Sequence, residues 1–219
     1  MDTRSAFHQS LDELEKELLN LGERVEESIH RAVESLAKMD AELAGELIAQ
    51  DDGIDEKVLN IEERCLRLIA LQQPMASDLR LIGMALKIAI DLERIADHAV
   101  DIAKVTLRLS GERLMKPLID IPRMAEMAKW MLREALQAFK ERSIDRAASL
   151  AQKEDEVDRL YSELFREIVG LMGQDAASNR QLTHLLMVAQ HLERVADHST
   201  NIGEGIIYVV SGKRKDLNV

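Results

Sequence analysis

The chain has 219 residues, 46% of them hydrophobic and 3% aromatic, with ten Gly, three Pro and a single Cys. That length allows a sizeable core in one elongated domain or two small ones, and so few glycines, prolines and aromatics point away from sheets and towards long helices with aliphatic interiors. A formal net charge of −11 argues against nucleic acid, whose binding calls for a basic footprint, and suits cations or basic surfaces.

Taken in order, the apolar residues Phe7, Leu11, Leu14, Leu18, Leu21, Val25, Ile29, Ala32 and Leu36 step by four and three, which predicts a first helix to about Lys38. After a break near Met39-Asp40, Leu47, Asp51, Ile54, Val58, Ile61, Cys65 and Leu68 predict a second helix, ended by Pro74. The third runs from about Ala76 to Leu109. Pro117 and Pro122 bracket a link. The pattern then restarts with a fourth helix over 123–142, a fifth over 143–172, a turn at 173–176, a sixth over about 178–210, and a basic tail Lys213-Arg214-Lys215. The expected fold is all-α: two tandem antiparallel three-helix bundles of six long helices, divided as 1–112 and 113–219. Cys65 excludes an internal disulfide and fits a reducing compartment. No signal-peptide pattern opens the chain and no apolar run reaches the ~20 residues of a membrane span, so a cytoplasmic protein is expected.

The third and sixth helices carry a copied motif. Leu92-Glu-Arg-Ile-Ala-Asp-His98 returns as Leu192-Glu-Arg-Val-Ala-Asp-His198, so the chain is two versions of one unit. Each copy holds a Glu-x-x-x-Asp pair, Glu93/Asp97 and Glu193/Asp197, and each is preceded by a second acidic pair, Asp51/Asp55 and Glu154/Asp158. Such spacing puts both carboxylates of a pair on one helix face, where like charges repel.

Folding each hairpin aligns them. The midpoint of residues 51 and 97 is 74, as is that of 55 and 93, so a reversal at Pro74 levels all four carboxylates. In the second half, 154 with 197 and 158 with 193 both give 175.5. Each set lies about 28 Å from its turn at 1.5 Å per residue. Asp51 and Glu154 also occupy seam slots, where a lone carboxylate is costly. Convergent oxygen ligands without cysteine suit iron, manganese, magnesium or calcium, with zinc if His98 or His198 turns in. The plainer alternative is a solvated acidic face paired locally, Asp91 or Asp97 with Arg94.

His98 and His198 point about 100° away from their neighbouring Asp, which favours a bridging or surface role over ligation. Glu27-x-x-His30 stands alone, whereas a ferritin-like di-iron centre needs two such motifs. No Gly-rich phosphate loop and no nucleophile beside a base is visible, so no enzyme is expected. Arg80 and Arg180 occupy matching places near the starts of the third and sixth helices and are expected to lie solvated, the alternatives being to hold the hairpin turns or an anionic partner. Leu86 and Ile90, opposite the seam, offer apolar surface to a second copy or a partner.

The doubled motif, the doubled upstream acidic pairs and the tandem layout resemble the PhoU family across nearly the whole chain. That resemblance implies a cytoplasmic negative regulator of phosphate uptake and the phosphate-starvation response, a link between the ATPase subunit of a phosphate ABC transporter and a sensor histidine kinase. It implies multinuclear metal clusters on each bundle, at Asp51, Asp55, Glu93 and Asp97 and at Glu154, Asp158, Glu193 and Asp197. The chain has Asp101 in the first copy but Asn201 in the second, so the halves need not hold the same ions. A homodimer is expected, and peripheral membrane contact fits such partners. The competing readings are a carboxylate-bridged metalloenzyme and a purely structural helical scaffold.

Overall fold

The computed structural model describes residues 3–173, 178–214 and 216–217. Its helices are α1 (Thr3–Lys38), α2 (Ala41–Ala49), α3 (Asp52–Gln72), α4 (Ala76–Arg108), α5 (Asp120–Glu141), α6 (Ile144–Met172) and α7 (Asn179–Ser211). Among the described residues there is no strand, and the all-α expectation stands.

The helix expected from Met39 to Pro74 is divided into α2 and α3. Around the division the bonds shorten to three residues, Gln50 N–H to Leu47 O at 3.1 Å and Gly53 N–H to Gln50 O at 3.2 Å, which tightens the turn. Asp51, Asp52 and Gly53 are all weak helix formers, and Asp51 brings no apolar side chain to the seam slot between Leu47 and Ile54. The seam spacing survives the break, so periodicity alone passes over it. At the other end of the link, α5 begins at Asp120 and takes Pro122 into its first turn, where the missing N–H costs no helical bond. Of the expected turn at 173–176, Gly173 ends α6 and the remainder lies outside the described residues, as does Lys215 of the tail.

The two repeats turn their first corner alike. Met39 (φ 54°) and Arg142 (φ 56°) are left-handed, and Asp40 and Ser143 follow them. The side chain of Asp40 accepts from Leu43 N at 3.0 Å and that of Ser143 from Arg146 N at 3.3 Å. Each also sends its own N–H back into the preceding helix, to Ser35 O at 2.8 Å and Ala138 O at 3.0 Å. One αL residue followed by a capping side chain satisfies the orphan groups on both sides of a corner.

α1 to α4 form one bundle and α5 to α7 the other, and they meet where α4 packs on α7 and α1 on α5. Along α4 and α7, residue numbers rise on one helix as they fall on the other. Arg80 Nε donates to Val209 O at 3.3 Å, Met84 lies against Gly205, His98 meets His191, and Arg180 Nη1 donates to Arg108 O at 3.4 Å. The helices are therefore antiparallel, and equivalent positions of the repeats are related by an approximate two-fold axis near Arg94-Ile95 and Arg194-Val195.

That axis explains Arg80 and Arg180. Each leaves its own turn and binds a carbonyl at the end of the other repeat's last helix. It also explains Gly205, where a Cβ would come 2.3 Å from Met84 Sδ. Leu92, Ile95, Ala99 and Ile102 of α4 and Leu192, Val195, Ser199 and Ile202 of α7 are all buried, each large aliphatic one stabilising the fold by about 1.5–3 kcal/mol.

α1 and α5 are antiparallel too, with Leu136 over Gly22 and ion pairs from Arg133 to Glu26 and from Arg142 to Glu15. Cys65 is buried in the core, and burial pushes its thiol up to about 11, as befits a small apolar residue rather than a nucleophile. Leu86 packs against the core, whereas Ile90 is 41% exposed. Among the described residues, no helix is long and apolar enough to cross a membrane.

Candidate functional site

The hairpin of α3 and α4 brings its acidic residues into each other's field. Burial, followed by the charges of Asp55 and Asp97, pushes Asp51 up to about 6, against the opposing pull of Lys104. Burial also raises Glu93, with Asp55 and Asp97 adding and Arg94 opposing. The hairpin of α6 and α7 repeats the pattern. Asp158 is raised by burial and by Asp197, Glu193 by burial, Asp197 and Asp158, and Asp197 by burial against Arg194 and His198. Glu154 stands one turn before Asp158 on α6 and is only 5% exposed. Carboxyls held up in this way resist ionising together, and a multivalent cation among them would relieve both burial and repulsion.

Local pairing accounts for part of the charge. Arg94 Nη1 binds Asp97 at 3.1 Å and Arg194 Nη1 binds Asp197 at 3.2 Å. Asp91 departs from expectation: it is 7% exposed and pairs not with Arg94 but with His198 Nδ1 across the repeat interface, at 3.0 Å. His30 of the lone Glu-x-x-His lies beside Glu34 at 3.9 Å and Lys129 at 3.4 Å.

The tightest gathering of potential ligands is elsewhere. Among the described residues, the group whose donor atoms all lie within 4.8 Å of one another is His98, Asp101 and His191, and no trio of the eight carboxylates meets that spacing. The Nδ1 atoms of His98 and His191 are 3.2 Å apart, and the rings of His98 and His198 lie with centroids 5.8 Å apart, tilted by 41°. Burial pushes His98 down to about 4, with His191 and His198 adding, and burial lowers His191 as well. His98 therefore does turn away from Asp97, and what it turns towards is the other repeat. The copied motif gives no sign of His191, and it offers Asp91 only a local partner in Arg94, because neither residue belongs to it. The signal was there as a mismatch: they occupy equivalent positions, one before each Leu-Glu-Arg, and differ.

Fold and site together define an internally duplicated helical-bundle protein, with neighbouring acidic residues in the outer hairpin of each half and a histidine cluster between the halves. The PhoU domain model matches residues 18–106 and 121–206, once for each bundle. A relative from Clostridium acetobutylicum, a phosphate-specific transport system accessory protein PhoU homolog, is 42% identical over 217 residues, 99% of either chain. The homolog of the same name from Streptococcus pneumoniae is 38% identical over 98% of this chain and all of its own. The crystal structure of PhoU from Pseudomonas aeruginosa superposes with a TM-score of 0.90 at 36% identity, covering 94% of this chain and 100% of that one. That of the phosphate transport system regulatory protein PhoU from Streptococcus pneumoniae gives 0.89 at 37%, covering 96% and 99%. The chain belongs to the PhoU family.

Proposed function

We propose that the protein is a non-enzymatic accessory protein of a phosphate transport system. It acts as a metal-dependent adaptor in the cytoplasm, negatively regulating phosphate uptake and the phosphate-starvation response. It links the ATPase subunit of a phosphate ABC transporter to a sensor histidine kinase, working through the units 1–112 and 113–219 and as a homodimer. The phosphate connection rests on relatives that carry it in their names and match nearly end to end. The adaptor mechanism rests on one observation, the two matched acidic groups whose carboxyls are held up by burial and by one another.

Asp51, Asp55, Glu93 and Asp97 would hold one ion or cluster, and Glu154, Asp158, Glu193 and Asp197 the other. All-oxygen sets favour iron, manganese, magnesium or calcium. Loading turns each patch from strongly negative towards neutral and so changes which surfaces it can dock. Exposed apolar side chains on the same helices, Leu59 and Leu66 on α3 and Phe165 and Val169 on α6, supply contact area for a partner.

The test is to measure binding to the transporter ATPase and to the kinase while metal is stripped and restored. Affinity should fall on chelation and recover with metal, and Asp97→Asn with Asp197→Asn should remove that response. An affinity indifferent to metal would reduce the acidic groups to a structural role.

A further inference from the structure

We propose that His98, Asp101 and His191 form a third cation site, distinct from the acidic groups, which takes a borderline divalent ion such as zinc and pins the first repeat to the second. The inference goes beyond the adaptor reading and stands without it.

The donor set differs in kind from the other two. Two imidazoles and one carboxylate suit zinc with an open fourth position for water, whereas magnesium and calcium prefer oxygen throughout. The separation of the two imidazole nitrogens already suits a shared ion. Zinc–nitrogen bonds of about 2.0–2.1 Å at tetrahedral angles place two ligand nitrogens roughly 3.3–3.4 Å apart, and the Nδ1 atoms of His98 and His191 are 3.2 Å apart. An ion displaced slightly from the line joining them would reach both with little motion of α4 or α7. His98 and Asp101 sit three residues apart on one helix face, and all three donors lie within 4.8 Å.

Proton balance is simple. In the metal-free contact one Nδ1 must carry a proton that the other accepts. Ion binding moves that proton to Nε2 of the same ring, so both lone pairs face the cation with no net release from the imidazoles. Asp101 shares one oxygen with Lys104 Nζ at 2.9 Å, and a carboxylate has a second oxygen to offer. Beside the site, His198 pairs with Asp91 at 3.0 Å and its ring lies 5.8 Å from that of His98.

The two-fold axis predicts one such site rather than two. Its image would consist of His198, Asn201 and Asp91, in which a neutral amide replaces the carboxylate and an Asp–His pair replaces the two imidazoles. The asymmetry between Asp101 and Asn201 is thereby given a location: it marks which side of the axis binds.

The experiment uses the full chain, stripped of metal, with ¹⁵N-labelled histidine. The six imidazoles are followed by NMR during a zinc titration of wild type, of His191→Gln, and of Asp97→Asn combined with Asp197→Asn. In wild type the Nδ1 signals of His98 and His191 should move together and saturate, and in the carboxylate variant they should do so at one equivalent. The carboxylate variant should retain that response even though its acidic groups are crippled, which separates failure of this site from failure of the adaptor reading. His191→Gln should weaken the response roughly 100-fold. Should that variant not fold, the wild-type titration still decides. His98 and His191 signals unmoved by zinc, or moving only in step with the surface residue His8, would overturn the proposal.

Discussion

The two halves place acidic residues in the same seam slot and treat them differently. In the first half Asp51 sits where the helix itself gives way between α2 and α3, half-buried with a carboxyl pushed up to about 6. In the second, Glu154 occupies the interior of an unbroken α6 and is almost fully covered. A short side chain flanked by Asp52 and Gly53 interrupts the helix, whereas a longer one, in a stretch of better helix formers, is carried within it. The comparison teaches that matched sites need not be matched in rigidity: the first group straddles a helix junction, and the second is built on continuous helices.

The largest test of that comparison is whether the halves are separable at all. Leu92 and Leu192 are equivalent and fully buried, and Leu92→Ala and Leu192→Ala should each cost about 2–5 kcal/mol. Because α4 packs on α7, both should lower one denaturant transition, seen alike by far-UV circular dichroism and by fluorescence of Trp130. Two transitions, each sensitive to one substitution, would show independent bundles.

The next effect concerns metal. Asp97→Asn should weaken binding in the first half and Asp197→Asn in the second, each by at least about tenfold, read by elemental analysis after dialysis. Equal stoichiometry in wild type and in both variants would remove the acidic groups as ligands.

Smaller still is the effect of pH. Asp51 is protonated more readily in the folded chain than at its ordinary value of 3.8, so its contribution to stability is full below that value and lost as pH rises through about 6. Asp158, Glu193 and Asp197 shift in the same direction. Metal-free protein should therefore melt lower at pH 8 than at pH 5 as far as these groups decide, and Asp51→Asn should narrow the gap by raising the melting temperature at pH 8. Cation binding should oppose the trend, since protons and metal compete for the same oxygens. A gap unchanged in Asp51→Asn would place the pH response elsewhere.

The smallest effect is at the interface arginines. Arg80→Ala removes a half-buried bond to Val209 O and should cost about 1 kcal/mol. Arg180→Ala, more exposed and paired with Glu112, should cost less than that. An equal loss at both would mean that burial does not distinguish them.

Most of the helices are legible because a four-three apolar rhythm survives local irregularity, and a constant rise per residue brings acidic residues of each hairpin into one another's field. The same rhythm hid the division at Gln50-Asp51, since Leu47 and Ile54 remain in step across it. Pro122 misplaced the start of α5 because a first turn tolerates proline as readily as a loop does. The approach of His98 to His191 was not legible within either repeat, for it depends on α4 and α7 crossing antiparallel. What betrays it is where the copies disagree, at Asp91 and His191 and at Asp101 and Asn201.

Covalent linkage of the repeats has one further consequence. In an isologous dimer of a single three-helix unit, any residue near the symmetry axis appears on both sides, so a histidine brought in to meet a histidine would also displace the aspartate opposite. Joining the two copies in tandem lifts that obligation. One flank of the axis can then collect two imidazoles while the other keeps an Asp–His pair, a division of labour that identical subunits could not adopt.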